Sequence, residues 1–390
     1  MLFSLALIFL CGMLLGGIFT KLKLPALLGM LLTGIILGPY VLNLLDPSIL
    51  NISEDLRQIA LIIILTRAGL NLDIEDLKKV GRPAFLMCFI PATFEIIGML
   101  ILAPKLLGLS LLDSAVLGTV IAAVSPAIIV PKMLRLIEEG YDKKKKVPQL
   151  IMAGASVDDI FVIVLFTAFS KLATGKSILI TDFIKIPSSI ISGFIVGAII
   201  GKLLALFFKK IHLRDSIKVI IILSISFLLV TLEKVNTGIF TFSALLAIMT
   251  MGIVIQKFKK EVATRLSSKF SKLWIASELM LFVLVGANVN ISYALSSSLT
   301  SIFLIFGVII FRILGVFLSL LGTNLNYKER LFTMIAYSPK ATVQAAIGSI
   351  PLTMGLACGD IVLTIAILSI LITAPLGAFA IDSSYKKLLS

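Results

Sequence analysis

Most of the chain consists of apolar runs that are about as long as a membrane is thick. A helix needs about 20 apolar residues to cross the hydrocarbon core of a bilayer. Only helices and closed barrels satisfy all their backbone hydrogen bonds there, and few of these runs alternate as barrel strands do. We therefore predict an all-α polytopic membrane protein with about thirteen transmembrane helices. The thirteen runs lie at 2–20, 26–45, 56–72, 83–104, 112–131, 148–172, 182–208, 215–232, 238–256, 273–289, 298–322, 329–350 and 359–382.

The composition excludes a soluble protein. Of the 390 residues, 59% are hydrophobic and 14% are charged, and the mean hydropathy is +1.12. A soluble chain of this length could not keep such a surface in water. In a soluble protein the net charge of +14 would suggest nucleic-acid binding. Here, loop lysines facing an anionic cytoplasmic leaflet explain the charge, so we expect membrane lipids and no nucleic acid as partners.

Basic residues cluster in the loops that follow odd-numbered runs, as in the four lysines at 143–146. Loops after even-numbered runs are poor in Lys and Arg, and the loop at 288–297 carries no charge. The positive-inside rule therefore predicts an N-terminus outside and a C-terminus in the cytoplasm. The basic segment 257–272 has apolar residues at helical spacing, which predicts an interfacial helix on the cytoplasmic surface.

Two adjacent carboxylates, Asp158 and Asp159, lie near the middle of the sixth run. An acidic residue at this depth costs about 2.5–3.5 kcal/mol of insertion free energy, so two in succession require a reason. Either the pair is held by buried cations, or it binds a positive ion that crosses the membrane.

Two of the runs are interrupted in a matching way. Run five carries Ser125-Pro126 and run twelve carries Ser338-Pro339. A proline inside a membrane helix frees backbone groups that lipid cannot satisfy, so such a break belongs beside a polar cavity. Broken helices at corresponding places in two halves indicate a transporter's substrate site. Seven runs separate the two breaks, and this odd offset predicts inverted repeats with two crossed broken helices.

The same offset pairs run four with run eleven, which contain Glu95 and Arg312 near their middles. As near symmetry mates, these residues are expected to meet in an ion pair between the two halves. Neighbours on a helix point about 100° apart. One of Asp158 and Asp159 is therefore expected to join the pair, while the other faces the cavity. Lys340, just after the second Ser-Pro step, is expected to belong to the same ion-pair network and to compensate the dipole ends of the broken helices.

Glu278 lies about one helical turn after Trp274, in run ten. It is either an entrance or pH-sensing carboxylate, or an interfacial residue without a role in function.

Taken in order along the chain, several stretches resemble monovalent cation/proton antiporters. The resemblance is to the double-aspartate branch, which includes NhaA- and NapA-type exchangers, and above all to the NHA subgroup of that branch. It extends over nearly the whole chain. The stretches that carry it are 65–73, 122–126, 154–159, 311–316 and 338–348.

The resemblance implies roles for individual residues. Asp159 would be the main cation- and proton-binding carboxylate. Asp158 would be its partner, tied to Arg312 and Glu95, and Ser125 would line the crossing near the ion. The metal held at Asp159 and Asp158 would be Na⁺ or Li⁺ in transit, so no cofactor is expected. Several bacterial members carry a lysine where Arg312 stands. Since an arginine keeps its proton, a mechanism based on a deprotonating lysine is in doubt.

The resemblance also implies a division of the chain and a setting for it. Residues 82–172 (helices 4–6) and 298–390 (helices 11–13) would form the moving transport core. Residues 1–81 (helices 1–3) and 215–297 (helices 8–10) would form a scaffold that dimerises, and 173–214 would be the linker helix 7. The expected assembly is a homodimer in a bacterial inner membrane.

Together, the residues and the resemblance predict a secondary antiporter and not an enzyme. It would exchange Na⁺ or Li⁺ for H⁺ by alternating access, with competitive binding at Asp159. The alternative is a sodium-coupled organic-anion symporter of similar fold, because broken-helix crossings occur in both classes. Such a symporter would not need Asp158 and Asp159 to be titratable together.

Overall fold

The computed structural model describes residues 1–72, 81–141, 146–175, 180–235, 242–289 and 298–389, and these residues contain helices and no strand. We number the helices of this part of the chain in order. They are α1 (Leu2–Lys21), α2 (Ala26–Leu37), α3 (Pro47–Asn51), α4 (Ser53–Asn71), α5 (Arg82–Met87), α6 (Ile90–Leu107), α7 (Leu111–Ala122), α8 (Pro126–Glu138), α9 (Val147–Thr174), α10 (Ile180–Lys210), α11 (Asp215–Val235), α12 (Ala244–Phe258), α13 (Lys260–Ala287), α14 (Ser298–Ser319), α15 (Tyr327–Ala336), α16 (Thr342–Ile347), α17 (Ile350–Thr353) and α18 (Gly359–Leu388).

Within the described ranges, nine segments are long and apolar enough to cross a membrane. They are Leu2–Lys21, Arg82–Leu107, Leu111–Glu138, Val147–Thr174, Ile191–Lys210, Asp215–Glu233, Lys260–Ala287, Leu299–Ser319 and Gly359–Leu388. The shorter helices α2 and α12 are also apolar. The predicted all-α membrane class is therefore confirmed, while the count of thirteen spans stays a prediction.

Prolines place two boundaries that the apolar pattern does not reveal. The helix of run two ends at Leu37 instead of 45, because Pro39 follows and disfavours helical geometry in the residue before it. Run four is interrupted at residues 88–89, between α5 and α6, and Pro91 occupies the first turn of α6. Proline is tolerated in a first turn, where its missing N–H is not needed.

The prediction of a separate interfacial helix at 257–272 was wrong. From residue 260 onward this segment is the first part of α13, which continues without interruption to Ala287. Leu266 and Phe270 are fully buried. These two apolar residues therefore pack inside the protein, while Phe258, before the start of α13, is exposed.

The described chain divides into two compact units. The larger comprises the described parts of Met1–Glu54, Leu77–Thr174 and Leu279–Ser390. In it, α14 packs along α6, α7 contacts both α6 and α9, and α18 contacts α15.

The smaller unit comprises the described parts of Asp55–Asp76 and Gly175–Glu278. In it, α10 packs on α12, and α12 also contacts α11. The guanidinium carbon of Arg67 lies 5.9 Å from the centre of the Trp274 ring. The Oγ of Ser267 donates to Asn71 Oδ1 at 2.5 Å.

The close contact of α14 with α6 depends on Gly315, one turn after Arg312. A Cβ added at Gly315 would lie 2.7 Å from the Cα of Pro91 and 3.0 Å from the carbonyl oxygen of Ile90. Both atoms belong to the backbone and cannot move aside as a flexible side chain can. Small residues are typical where membrane helices approach closely. Here Gly315 lets α14 approach α6, so that Arg312 of α14 can reach α6.

We predict that Gly315→Ala lowers the stability of the protein, because the added methyl group pushes α14 away from α6. Overpacking of this kind costs about 1–3 kcal/mol, and the thermal melting temperature of the purified protein in detergent measures it. Gly17→Ala is the control, since a Cβ at Gly17 in α1 would meet nothing within 4 Å. Equal melting temperatures for the two variants would contradict this account.

Candidate functional site

The two broken helices meet at their breaks, in the larger unit. Run five is interrupted between α7 and α8, and run twelve between α15 and α16. The backbone N–H of Ser125, at the first break, donates to the carbonyl oxygen of Pro339, at the second, at 2.9 Å. This hydrogen bond pairs two backbone groups, one from each break, that have no partner within a helix.

Arg312 joins the helices around this crossing. Its side chain is 1% exposed, and it donates to Glu95 Oε2 at 2.7 Å and to Asp158 Oδ2 at 3.0 Å. It also donates to the carbonyl oxygens of Tyr337, at 2.8 Å, and Ala122. These carbonyls lie at the C-terminal ends of α15 and α7, which carry partial negative charge. Arg312 therefore pairs with two carboxylates and donates to carbonyl oxygens at the ends of two helices.

Lys340 was expected to belong to the ion-pair network and to compensate the broken-helix ends, but the side chains that donate to those ends are Arg312 and Gln344. The Nζ of Lys340 instead donates to Glu95 Oε2 at 2.6 Å. Its backbone N–H donates to the Oγ1 of Thr373 in α18 at 2.9 Å. Lys340 and Glu95 are both fully buried. The Oε2 of Glu95 therefore accepts from two cationic side chains, Arg312 and Lys340.

The two adjacent aspartates have different surroundings. Asp158 is fully buried, and its Oδ2 accepts from Arg312 and from the backbone N–H of Val124 at 2.9 Å. Asp159 is half-buried. Its Oδ1 is shielded from solvent and has no hydrogen-bond partner in the described part of the chain. No basic side chain of the described residues forms an ion pair with Asp159.

Ser125 lies at the break of run five with its side chain fully buried. Its Oγ has no hydrogen-bond partner among the described residues, and the same holds for Asp158 Oδ1. A buried oxygen without a hydrogen bond is costly, so each such atom requires an explanation. The structure thus brings six of the predicted site residues to one crossing: Glu95, Ser125, Asp158, Asp159, Arg312 and Lys340.

Glu278, the remaining predicted residue, belongs to the smaller unit. It lies half-buried in α13, and Arg67 of α4 is its main charged neighbour. Its role as an entrance or pH-sensing carboxylate stays a prediction.

Tyr337 contributes to the site but was not predicted. Its ring lies against Arg312, with the guanidinium carbon 5.0 Å from the ring centre. Its hydroxyl donates to the carbonyl oxygen of Met87 at 3.0 Å, at the break of run four. A Cβ at Gly154 would lie 2.7 Å from this hydroxyl oxygen, so the glycine makes room for the tyrosine. The position of Tyr337 directly before Ser338-Pro339 is the sequence feature that could have predicted its place at the crossing.

Gln344 was also missed as a residue of the crossing. It belongs to the quoted stretch 338–348, yet no role was assigned to it. The structure buries it completely, and its Nε2 donates to the carbonyl oxygens of Ile121 and Ala123 at the end of α7.

A family model described as "Sodium/hydrogen exchanger, transmembrane" matches residues 5–382 of the chain. Among curated relatives, human sodium/hydrogen exchanger 9B2 is 33% identical over 409 residues, which covers 100% of this chain and 75% of the relative. Human sodium/hydrogen exchanger 9B1 is 30% identical over 383 residues, covering 94% and 73% of the two chains.

Among solved structures, the sodium proton antiporter MjNhaP1 from Methanocaldococcus jannaschii superposes with a TM-score of 0.84 at 22% identity. The match covers 99% of this chain and 98% of that chain. At this identity the likeness establishes the fold, and it agrees with the predicted antiporter architecture. The double-aspartate branch stays a prediction. Since the family model and the relatives above cover nearly the whole sequence, the chain belongs to the sodium/hydrogen exchanger family.

Proposed function

We propose that the protein is a secondary antiporter that exchanges Na⁺ or Li⁺ for H⁺, with both ligands competing for Asp159. The observation that carries this proposal is the difference between the two aspartates. Arg312 neutralises Asp158 at 3.0 Å, whereas Asp159 has a shielded oxygen without a partner among the described residues. One carboxylate at the crossing is therefore available to a transported ion.

The charges of the site explain why the exchange is coupled. Three carboxylates, Glu95, Asp158 and Asp159, lie at the crossing with two cations, Arg312 and Lys340. With Asp159 ionised, one negative charge is unbalanced, and moving it through a bilayer is costly. Either a proton or one monovalent metal ion removes that charge. The loaded site crosses and the empty site does not, so each ligand must be exchanged for the other.

The atoms around Asp159 suit a small alkali cation. The carboxylate supplies the charge, and the unpartnered Oγ of Ser125 supplies a neutral oxygen at the break. Unwound backbone at a helix break coordinates Na⁺ in other transporters. Binding and release form no covalent bond, so the proposed activity is transport and not enzymatic catalysis.

The names of the relatives support sodium/proton exchange, since the 9B2 and 9B1 proteins are named sodium/hydrogen exchangers. A sodium-coupled organic-anion symporter is disfavoured by the charge of the crossing. Its anionic substrate would approach a site whose one unbalanced charge is already negative.

The movement that we propose is a rocking of the core, helices 4–6 and 11–13, against a scaffold of helices 1–3 and 8–10. The scaffold would form a homodimer, with helix 7 as the linker. The loop lysines support an N-terminus outside and a C-terminus inside. The bacterial cell membrane as location follows from the resemblance alone, and the curated relatives named above come from animals.

We predict that Asp159→Asn abolishes exchange, because the amide has the shape of the carboxylate and can hold neither a proton nor the cation's charge. In liposomes with an acidic interior, external Na⁺ or Li⁺ should dissipate the pH gradient through the wild-type protein. Asp159→Asn should lower the rate to that of protein-free liposomes, as read with a pH-sensitive dye. Asp360→Asn, at an exposed position in the first turn of α18, is the control and should exchange normally. Wild-type rates from Asp159→Asn would refute the assignment.

We predict that Arg312→Ala reduces stability more than ion affinity. Removing one member of a buried ion pair costs about 3–5 kcal/mol, because the other charges stay buried without compensation. The melting temperature should therefore fall strongly. The additional stabilisation produced by saturating Na⁺ should be largely kept, since Asp159 is intact.

Arg312→Lys should melt between wild type and Arg312→Ala, because one ammonium group cannot reach all four acceptors. An unchanged melting temperature together with lost Na⁺ stabilisation would contradict this account and would make Arg312 a functional residue.

A further inference from the structure

Gln344 is a fully buried side chain that the exchange described above does not use. It lies in α16, just after the break of run twelve, and is 0% exposed. Its Nε2 donates to the carbonyl oxygen of Ile121 at 3.1 Å and to that of Ala123 at 2.8 Å. A side chain of one broken helix therefore reaches the break in the other.

These two bonds determine which way the amide of Gln344 faces. Both partners are carbonyl oxygens, and only the NH₂ end of a carboxamide can donate to them. A flipped amide would place its oxygen against both carbonyls. The Oε1 atom therefore points away from the end of α7, and the amide cannot turn without losing both hydrogen bonds.

The Oε1 of Gln344 has no hydrogen-bond partner in the described part of the chain, although it is buried. Two hydroxyl oxygens at the breaks share this property, Ser125 Oγ and Thr342 Oγ1, and both side chains are at most 3% exposed. Buried polar atoms are rarely left unpaired, so each such atom needs an explanation. Three neutral oxygens from the two broken helices are thus available for a ligand.

A single peptide group connects Gln344 to the aspartate pair. The carbonyl oxygen of Ala123 accepts from Gln344, and the N–H of Val124, in the same peptide group, donates to Asp158 Oδ2 at 2.9 Å. The C=O and N–H of a trans peptide point in opposite directions, so Gln344 and Asp158 hold this peptide group from its two sides.

We propose that Gln344 determines cation affinity and selectivity by offering its fixed Oε1 to the transported Na⁺ or Li⁺. Oxygen dipoles replace the hydration shell when an alkali cation enters a protein site. A proton bound to Asp159 needs no such ligand, so Gln344 affects the affinity for the cation and leaves the affinity for the proton unchanged. The proposal rests on the exchange function above and adds a residue to its site.

The test is Gln344→Met, which removes the amide while keeping the length of the side chain. In proteoliposomes, the KM for Na⁺ should rise about tenfold at every pH, and Vmax should stay within about twofold of wild type. The pH at which protons begin to compete with Na⁺ should not move, because Asp159 is unchanged. Independently, the rise in melting temperature at a given Na⁺ concentration should be smaller than in wild type. Gln256→Met, at a buried glutamine of α12, is the matched control and should keep the wild-type KM.

A wild-type KM in Gln344→Met would overturn the proposal. So would a lower Vmax and melting temperature with unchanged stabilisation by Na⁺, since Gln344 would then only hold the crossing together. Gln344→Asn covers the case in which the methionine variant does not fold. Its shorter amide cannot bond to α7 and also present its oxygen at the same place, so its KM should rise too, and an unchanged KM would refute the proposal.

A wild-type protein without Na⁺-dependent exchange would refute the proposed function instead. The Na⁺-induced change in melting temperature, compared between wild type and Gln344→Met, would then still test Gln344 as a cation ligand.

Discussion

A single buried guanidinium connects five helices of the larger unit, α6, α7, α9, α14 and α15. Arg312 contacts a carboxylate on α6, a carboxylate on α9 and the ends of the half-helices α7 and α15. Burying a charge costs several kcal/mol of desolvation, which only good geometry and several partners offset. A guanidinium presents five N–H donors in a rigid plane, and lysine offers a point charge instead. The position of Arg312 therefore determines how the surrounding elements are placed.

The two broken helices are stable only together. A membrane helix that stops inside the bilayer leaves carbonyl groups that lipid cannot satisfy. Here Arg312 and Gln344 donate to carbonyls at the end of α7, and Arg312 also donates to the end of α15. The backbone N–H of Ser125 donates directly to the carbonyl oxygen of Pro339. These backbone groups at the crossing are thus paired, while several side-chain oxygens of the crossing have no partner among the described residues.

Much of this architecture could be predicted from local sequence. The runs that became α1, α9, α11 and α18 begin within two residues of the predicted positions, because apolar length is a local property. The Ser-Pro steps predicted both breaks of the crossing, because proline cannot continue a helix. The repeat offset also predicted that Glu95 and Arg312 approach each other, and the structure places their charged atoms 2.7 Å apart. The continuity of α13 was not predictable in this way, since charged residues within a long helix resemble a surface segment.

The sequence by itself determined the membrane class, the places where helices break and the set of charges that must be buried together. These follow from hydrophobicity, from proline geometry and from the cost of a lone charge in lipid. Helix geometry left open which aspartate meets Arg312, and the resemblance assigned that place to Asp158. The tertiary structure supplies the contact, with Asp158 paired to Arg312 and Asp159 without a cationic partner among the described residues. It also decided that Tyr337 and Gln344 belong to the crossing. The physical reason is that adjacent side chains point about 100° apart, so helix rotation and packing select which one meets a partner.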